Sequence, residues 1–132
     1  MDRTLVVIKP DGVRRSLVGE IISRFERKGF KLVELKMFNF DEDLARDFYS
    51  PHIGKPFFSE LQNFIVSGPV VGAIFEGQHA VSVVRQMIGV TKSFEAASGT
   101  IRGDFALGYT DNIIHASDSE ESFLRESKIL FR

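Results

Sequence analysis

The chain has 132 residues, 43% of them apolar and 27% charged, with a net charge of −1. That is enough for one domain with a real core, and too balanced for a protein that binds nucleic acid or an anionic membrane through bulk charge. Cysteine is absent, which removes disulfides, thiolate metal sites and cysteine nucleophiles and fits the cytosol. No apolar run approaches the ~20 residues needed to cross a bilayer, and Met1-Asp2-Arg3-Thr4 lacks a secretion-signal pattern. The expectation is a single cytoplasmic domain over residues 1–132.

Thr4 to Lys9 is a β-branched run ended by Pro10-Asp11-Gly12, which predicts a buried strand that delivers Lys9 to a loop. Val18, Ile21, Ile22 and Phe25 recur at helical spacing before Gly29, a natural C-cap. From Phe30 to Asn39 apolar and polar residues alternate, with Val33, Leu35 and Met37 assigned to the inward face and Glu34 and Lys36 to the outward one. Asp41 is placed to cap a short helix through Leu44 and Phe48. After Ser50-Pro51 a second helix carries Phe57, Phe58, Leu61, Phe64 and Ile65, so the pair forms a helical hairpin. Tyr49, His52, Lys55, Phe57 and Phe58 fall at its turn. An aromatic there is either a lid that stacks on a planar ligand or a hydrophobic plug, and composition favours the plug.

Val70 to Phe75 reads as a third strand, and Ala80 to Ile88 as a helix that turns Val81, Val84, Met87 and Ile88 inward. Periodicity is then lost from Gly89 to Asp111, a length that inside a compact domain marks either a wrong assignment or a functional loop, and we read it as functional. Asn112 to Ala116 is a short apolar strand. Ser117-x-x-Glu120 and Asp118-x-x-Glu121 both have capping-box spacing, and a closing helix from about Ser119 is expected to bury Phe123, Leu124, Ser127 and Leu130 or Phe131. His115 thus lies between a strand and a helix N-terminus, where phosphate and neutral imidazole are both favoured. Alone, a histidine beside two isoleucines reads more readily as a packed residue than as a nucleophile. Lys9 alone reads as a solvated strand-end lysine, and Arg85 as a snorkelling surface arginine. Together with Thr91, Arg102, Asn112 and Ser117, they point to phosphoryl transfer through histidine.

The element order predicts an α/β (α+β) chain of the ferredoxin-like sandwich type. This is a four-stranded antiparallel sheet with helices on one face, an inserted helical hairpin and a long loop before the last strand. The second face needs cover from helices, loops or another subunit, and the last of these makes a dimer the minimum unit.

The segments Ile8-Lys9-Pro10-Asp11-Gly12-Val13, Gly99-Thr100-Ile101-Arg102-Gly103-Asp104-Phe105 and Asn112 through Glu121 resemble the signature segments of nucleoside diphosphate kinases. Pro56-Phe57-Phe58 and Ser67-Gly68-Pro69-Val70-Val71 extend the resemblance, which runs in order from Thr4 to about Phe131. It implies exchange of a terminal phosphate between nucleoside tri- and diphosphates by a ping-pong route through a phosphohistidine. By position, His115 matches the nucleophile, and Ser117 and Glu126 match the pair that orients it. Lys9, Tyr49, Arg85, Thr91, Arg102 and Asn112 fall on phosphates and sugar, and Phe57 against the base. The resemblance also implies magnesium (Mg2+) held by the nucleotide phosphates, with Asp118 reaching it through water and no direct protein ligand. It implies homo-oligomers as well, dimers that stack into tetramers or hexamers.

Lys92-Ser93 stands where the family commonly has Asn-Pro, and Ser98 where it often has proline; the chain ends early and lacks a tryptophan near Leu130. These departures predict a looser loop and weaker assembly beyond the dimer. Two other classes compete: a regulatory module that binds nucleotide without turnover, and a nucleic-acid-binding protein. His115 in the company of Lys9, Arg85 and Arg102 separates the first from an enzyme, and the low net charge disfavours the second.

Overall fold

The computed structural model describes residues 2–131. In chain order these form β1 (Asp2–Ile8), α1 (Pro10–Arg14), α2 (Val18–Lys28), β2 (Lys31–Phe38), α3 (Glu42–Phe48), α4 (Phe58–Ile65) and β3 (Val70–Gly77). Then come α5 (Ala80–Ile88), α6 (Ile101–Phe105), β4 (Ile114–Ala116) and α7 (Glu120–Leu130). The sheet order is β2-β3-β1-β4 with every neighbouring pair antiparallel, which is the ferredoxin-like arrangement. Two short α-helices interrupt stretches that read as loop: α1, which uses Pro10 at its first turn where no N–H is needed, and α6 within the long segment after Gly89. Single 3-10 turns lie at Ser50–His52 and Ser93–Glu95.

Both faces of the sheet carry helices from within the chain. Along β1, Val6 and Ile8 pack with Phe25 of α2 and Val84 and Ile88 of α5, while Leu5 and Val7 pack with Phe48 of α3, Ile65 of α4 and Leu130 of α7. The expectation of one helical face is therefore corrected. The inserted hairpin and the closing helix fill the second face, and no partner is needed to cover it. Asp41 caps α3 as expected, accepting from Leu44 N at 2.7 Å, and Gly29 ends α2 in the left-handed region at φ 117°.

Strand β2 departs from the simple alternation. Its register slips between Leu32 and Glu34, so Val33 occupies a bulge. Leu35 and Met37 share a face with Ala73 and Val71 of the α2/α5 core but are 54% and 62% exposed. They lie on the open edge of the sheet, beyond the reach of those helices, and are not the inward residues expected.

The start of α7 also differs. Its cap is Ser119, which accepts from Ser122 N at 3.0 Å, so neither capping box forms. Ser117 is committed to Glu126, and Asp118 accepts from the Ser122 hydroxyl at 2.6 Å. Leu124 is 50% exposed because Glu126 and Leu130, with Phe123, take the inward face. Among the described residues, no helix is long and apolar enough to cross a membrane.

Candidate active site

The C-terminal end of β1 and the N-terminal end of β4 meet at one edge of the sheet. Pairing of Val7 with His115 puts both side chains on the same face, and Val7 belongs to the core under α3 and α7. His115 is thereby aimed at those helices. The turn that precedes it is strained: Ile113, fully buried and β-branched, has φ 72°. Ile113 N donates to Asp11 Oδ2 at 3.1 Å, and its carbonyl accepts from Lys9 N at 2.7 Å, so both of its backbone groups are pinned. Gly12 permits this close approach, since a Cβ there would lie 3.1 Å from Ile113 Cγ2 and 3.3 Å from the Ile113 carbonyl oxygen.

Nε2 of His115 lies 3.0 Å from Glu126 Oε1, and the same oxygen accepts from Ser117 Oγ at 2.7 Å. A carboxylate accepts only, so Nε2 carries the proton, and in the neutral ring Nδ1 presents its lone pair. Burial opposes ionisation of Glu126. The facing His115, hydrogen bonds from His115 and Ser117, and Arg125 outweigh it and hold the carboxyl below its ordinary value. The ring of Phe48 meets the imidazole edge-on at 5.0 Å.

Around this nitrogen lies a cleft of about 330 Å³. Lys9, 5% exposed, donates to Asn112 Oδ1 at 2.8 Å. Burial, then the charge of Arg102, push its pKa down to about 7. Arg102, also buried, is a staple: Nε donates to the Asn112 carbonyl at 3.3 Å, Nη1 to that of Gly89 at 2.9 Å, and Nη2 to that of Ile114. Three of its five N–H groups are thus used and two remain. Thr100 caps the short helix that carries it, accepting from Gly103 N at 2.9 Å. Gly103 must be glycine there, because a Cβ would fall 1.9 Å from the Ala97 carbonyl oxygen.

Arg85 reaches the same cleft while donating to the Ala116 carbonyl at 3.0 Å, and Asn112 Nδ2 donates to the Thr91 carbonyl at 3.2 Å. The Tyr49 hydroxyl is buried without a hydrogen-bond partner among the described residues.

The opposite wall is the turn of the hairpin. Phe57 is 36% exposed with the His52 ring 5.4 Å away, so the preference for a plug fails at this residue. Phe48 and Tyr49, 1% and 4% exposed, are the plug. Of the residues singled out from the sequence, Lys9, Tyr49, Phe57, Arg85, Thr91, Arg102, Asn112, His115, Asp118 and Glu126 all line the cleft; Ser117 sits behind it, fully buried. His52, Tyr109, Thr110 and Arg125 line it as well, although no sequence argument assigned them a role. His52 had a signal in its place beside Tyr49. Arg125 had none beyond adjacency to Glu126.

Free donors and cations gathered about one open imidazole nitrogen have the chemistry of a phosphotransferase site. Comparison with known proteins agrees. The family model described as "Nucleoside diphosphate kinase" matches residues 2–132. The nucleoside diphosphate kinase of Staphylothermus marinus is 57% identical over 131 residues, covering 99% of this chain and 93% of that protein. That of Sulfolobus acidocaldarius is 59% identical over 132 residues, covering 100% and 91%. The solved halophilic nucleoside diphosphate kinase of Halobacterium salinarum, in complex with CDP, superposes with a TM-score of 0.96 at 46% identity, covering 98% of this chain and 87% of that one. The chain belongs to the nucleoside diphosphate kinase family, phosphotransferases that move a terminal phosphate from a nucleoside triphosphate to a nucleoside diphosphate.

Proposed function

We propose that His115 carries the phosphoryl group between the two nucleotides. The observation that carries this reading is the hydrogen bond from Nε2 to Glu126, which leaves Nδ1 as the nucleophile in a cleft bordered by Lys9, Arg85 and Arg102. The Nδ1 lone pair forms a bond to the terminal phosphorus while the bond from that phosphorus to the bridging oxygen breaks, and the nucleoside diphosphate departs with the bridging oxygen. The Nε2 proton stays shared with Glu126, whose charge offsets the positive charge that develops on the ring. A second nucleoside diphosphate then takes the group back by the reverse step, so one site serves donor and acceptor in turn.

Catalysis of such a transfer is mostly positioning and fixed charge. Lys9 and the two remaining N–H groups of Arg102 supply that charge, with Arg85 beside them. The unpartnered Tyr49 hydroxyl, Thr91 and Asn112 bind phosphate and sugar oxygens. Phe57 offers a ring face to the base. Every base has a π-face, so a stack of this kind leaves bases poorly discriminated.

Magnesium fits as a companion of the nucleotide and not as a resident of the protein. Among the described residues no group of three histidine, aspartate or glutamate side chains could hold a cation. Asp118 on the cleft wall is the available carboxylate, kept ionised by the Ser122 hydrogen bond against some desolvation and by Arg85 and His115. When bound to the phosphates, the ion neutralises charge that would otherwise repel the nucleophile; Asp118 would hold it through water.

The protein acts in the cytoplasm as a single domain. A dimer is its minimum unit, further assembled into tetramers or hexamers. The exposed Leu35 and Met37 on the unpaired edge of β2 support the dimer, since an open apolar strand edge invites pairing.

Incubation with γ-labelled ATP and magnesium, without acceptor, tests the mechanism. A phosphoramidate on His115 gives a phosphoprotein that is labile in acid and stable in alkali. Label on serine alone would sink the histidine route.

A further inference from the structure

Arg125 sits between the hairpin and the histidine. Its Nη1 donates to the carbonyls of Asp47 and Phe48, at 3.3 and 3.1 Å, and its Nη2 lies 3.4 Å from Oε2 of Glu126. Asp47 and Phe48 are the last residues of α3, whose terminal carbonyls have no partner within the helix and favour a cation. The other oxygen of Glu126 is taken by His115 and Ser117. An unbroken line of contacts therefore runs from the end of α3 through Arg125 and Glu126 to the imidazole. Tyr49 is the next residue beyond Phe48, and Phe57 closes the same turn.

We propose that Arg125 is a positioning residue that ties the orientation of His115 to the hairpin carrying Tyr49 and Phe57, so that seating a nucleotide against the hairpin and aligning the imidazole are one event. The inference rests on His115 as the nucleophile. Geometry sets the residue type: two different nitrogens of one planar fork reach the carbonyls and the carboxylate, and a lysine ammonium, a single point charge, cannot span both. Without the fork, Oε2 of a glutamate only 4% exposed loses its partner, and the carboxylate is free to turn. The imidazole is then held through a carboxylate that is itself unanchored. A residue that merely capped α3 would change melting and leave the histidine alone.

The test compares Arg125→Ala and Arg125→Lys with the parent in the whole 132-residue chain. The readouts are the rate of His115 phosphorylation from ATP and magnesium by rapid quench, the KM for ATP, the ¹⁵N spectrum of the imidazole, and thermal melting. Arg125→Ala is expected to slow phosphorylation roughly tenfold, the scale of one lost charge-assisted hydrogen bond, with a smaller change in KM. A second imidazole form should join the Nε2–H form in the spectrum. Arg125→Lys should recover the melting temperature more fully than the rate. If the alanine variant does not fold, the lysine variant carries the same comparison against the parent. A parental rate and parental imidazole spectrum in either variant, with only melting lowered, would overturn the inference. Full recovery of the rate by lysine would overturn it too. A parent that forms no phosphohistidine refutes the histidine reading itself, whereas a labelled parent with unaffected variants refutes only the role of Arg125.

Discussion

On the wall built from β1, β4 and α6, the charged and reactive side chains have fixed partners: Lys9 on Asn112, Arg102 on three carbonyls, His115 on Glu126. The hairpin wall is different. Phe57 is partly exposed and the Tyr49 hydroxyl has no hydrogen-bond partner among the described residues. The contrast matches what each end of a nucleotide requires. A phosphoryl group in flight needs charge already in place, since reorganising donors during the step would raise the barrier. A base that is to be accepted whatever its identity needs a surface and little else. Rigidity on one side and permissiveness on the other follow from one task.

The strongest way to break that contrast is at the reacting atom. His115→Ala is expected to abolish both the phosphoprotein and turnover while leaving ADP affinity within a modest factor, because the role proposed for the imidazole is to make a bond to phosphorus and not to supply binding. Labelling together with calorimetry checks it, and a large loss of ADP binding would move His115 to the binding side of the ledger. Next, Lys9→Ala and Arg102→Ala should each lower turnover by ~2.7–4 kcal/mol of transition-state stabilisation. Lys128→Ala, on the exposed face of α7, should change nothing, and equal effects at all three in steady-state assays would undo the division between walls.

Phe57→Ala should cost about 1–3 kcal/mol of binding, the scale of one base stacked on an aromatic ring. The loss should appear as a parallel rise in the KM of purine and pyrimidine nucleotides. A rise confined to one base would show that the permissive wall reads base edges.

The smallest effect is a proton. Lys9 has a folded pKa of about 7 against an ordinary 10.5, so between those values the unfolded chain binds the extra proton. The stability of the nucleotide-free protein should therefore rise with pH across that window, which denaturant titrations at pH 7 and 9 would reveal. A bound polyphosphate favours the charged lysine and restores its pKa upward. Binding of ADP at pH 8 should take up protons, measurable by calorimetry in buffers of different ionisation enthalpy, and proton release would contradict the placement of Lys9.

Much of this was legible in the residues. The hydrophobic periods located α2, α5 and the hairpin helices, and the β-branched runs located β1 and β3, because both are local consequences of burying one face. Three features were not local. Whether Leu35 and Met37 are covered depends on how far α2 and α5 extend over a strand at the sheet edge, which alternation cannot report. The cap of α7 depended on Ser117 being drawn to Glu126, nine residues on. The second face of the sheet was filled by segments whose own pattern shows only that they are amphipathic, and not which surface they meet. Within the cleft, many of the lining residues could be named from the sequence, though Tyr109, Thr110 and Arg125 could not. The staple made by Arg102 could not, since its partners are carbonyls, and every residue has one.

That staple bears on how the enzyme could be altered. Active-site groups usually weaken a fold, and removing them commonly gains stability at the expense of rate. Arg102 reverses the relation. Its alanine variant would leave the carbonyls of Gly89 and Ile114 without their donor, while that of Asn112 keeps Ile114 N at 2.8 Å. The cost is about 1–3 kcal/mol for each orphaned carbonyl that water cannot reach. Screening for thermostable variants would then retain this arginine without any assay for activity, and changes that relieve the demand on it must come from a backbone that no longer leaves the Gly89 and Ile114 carbonyls open.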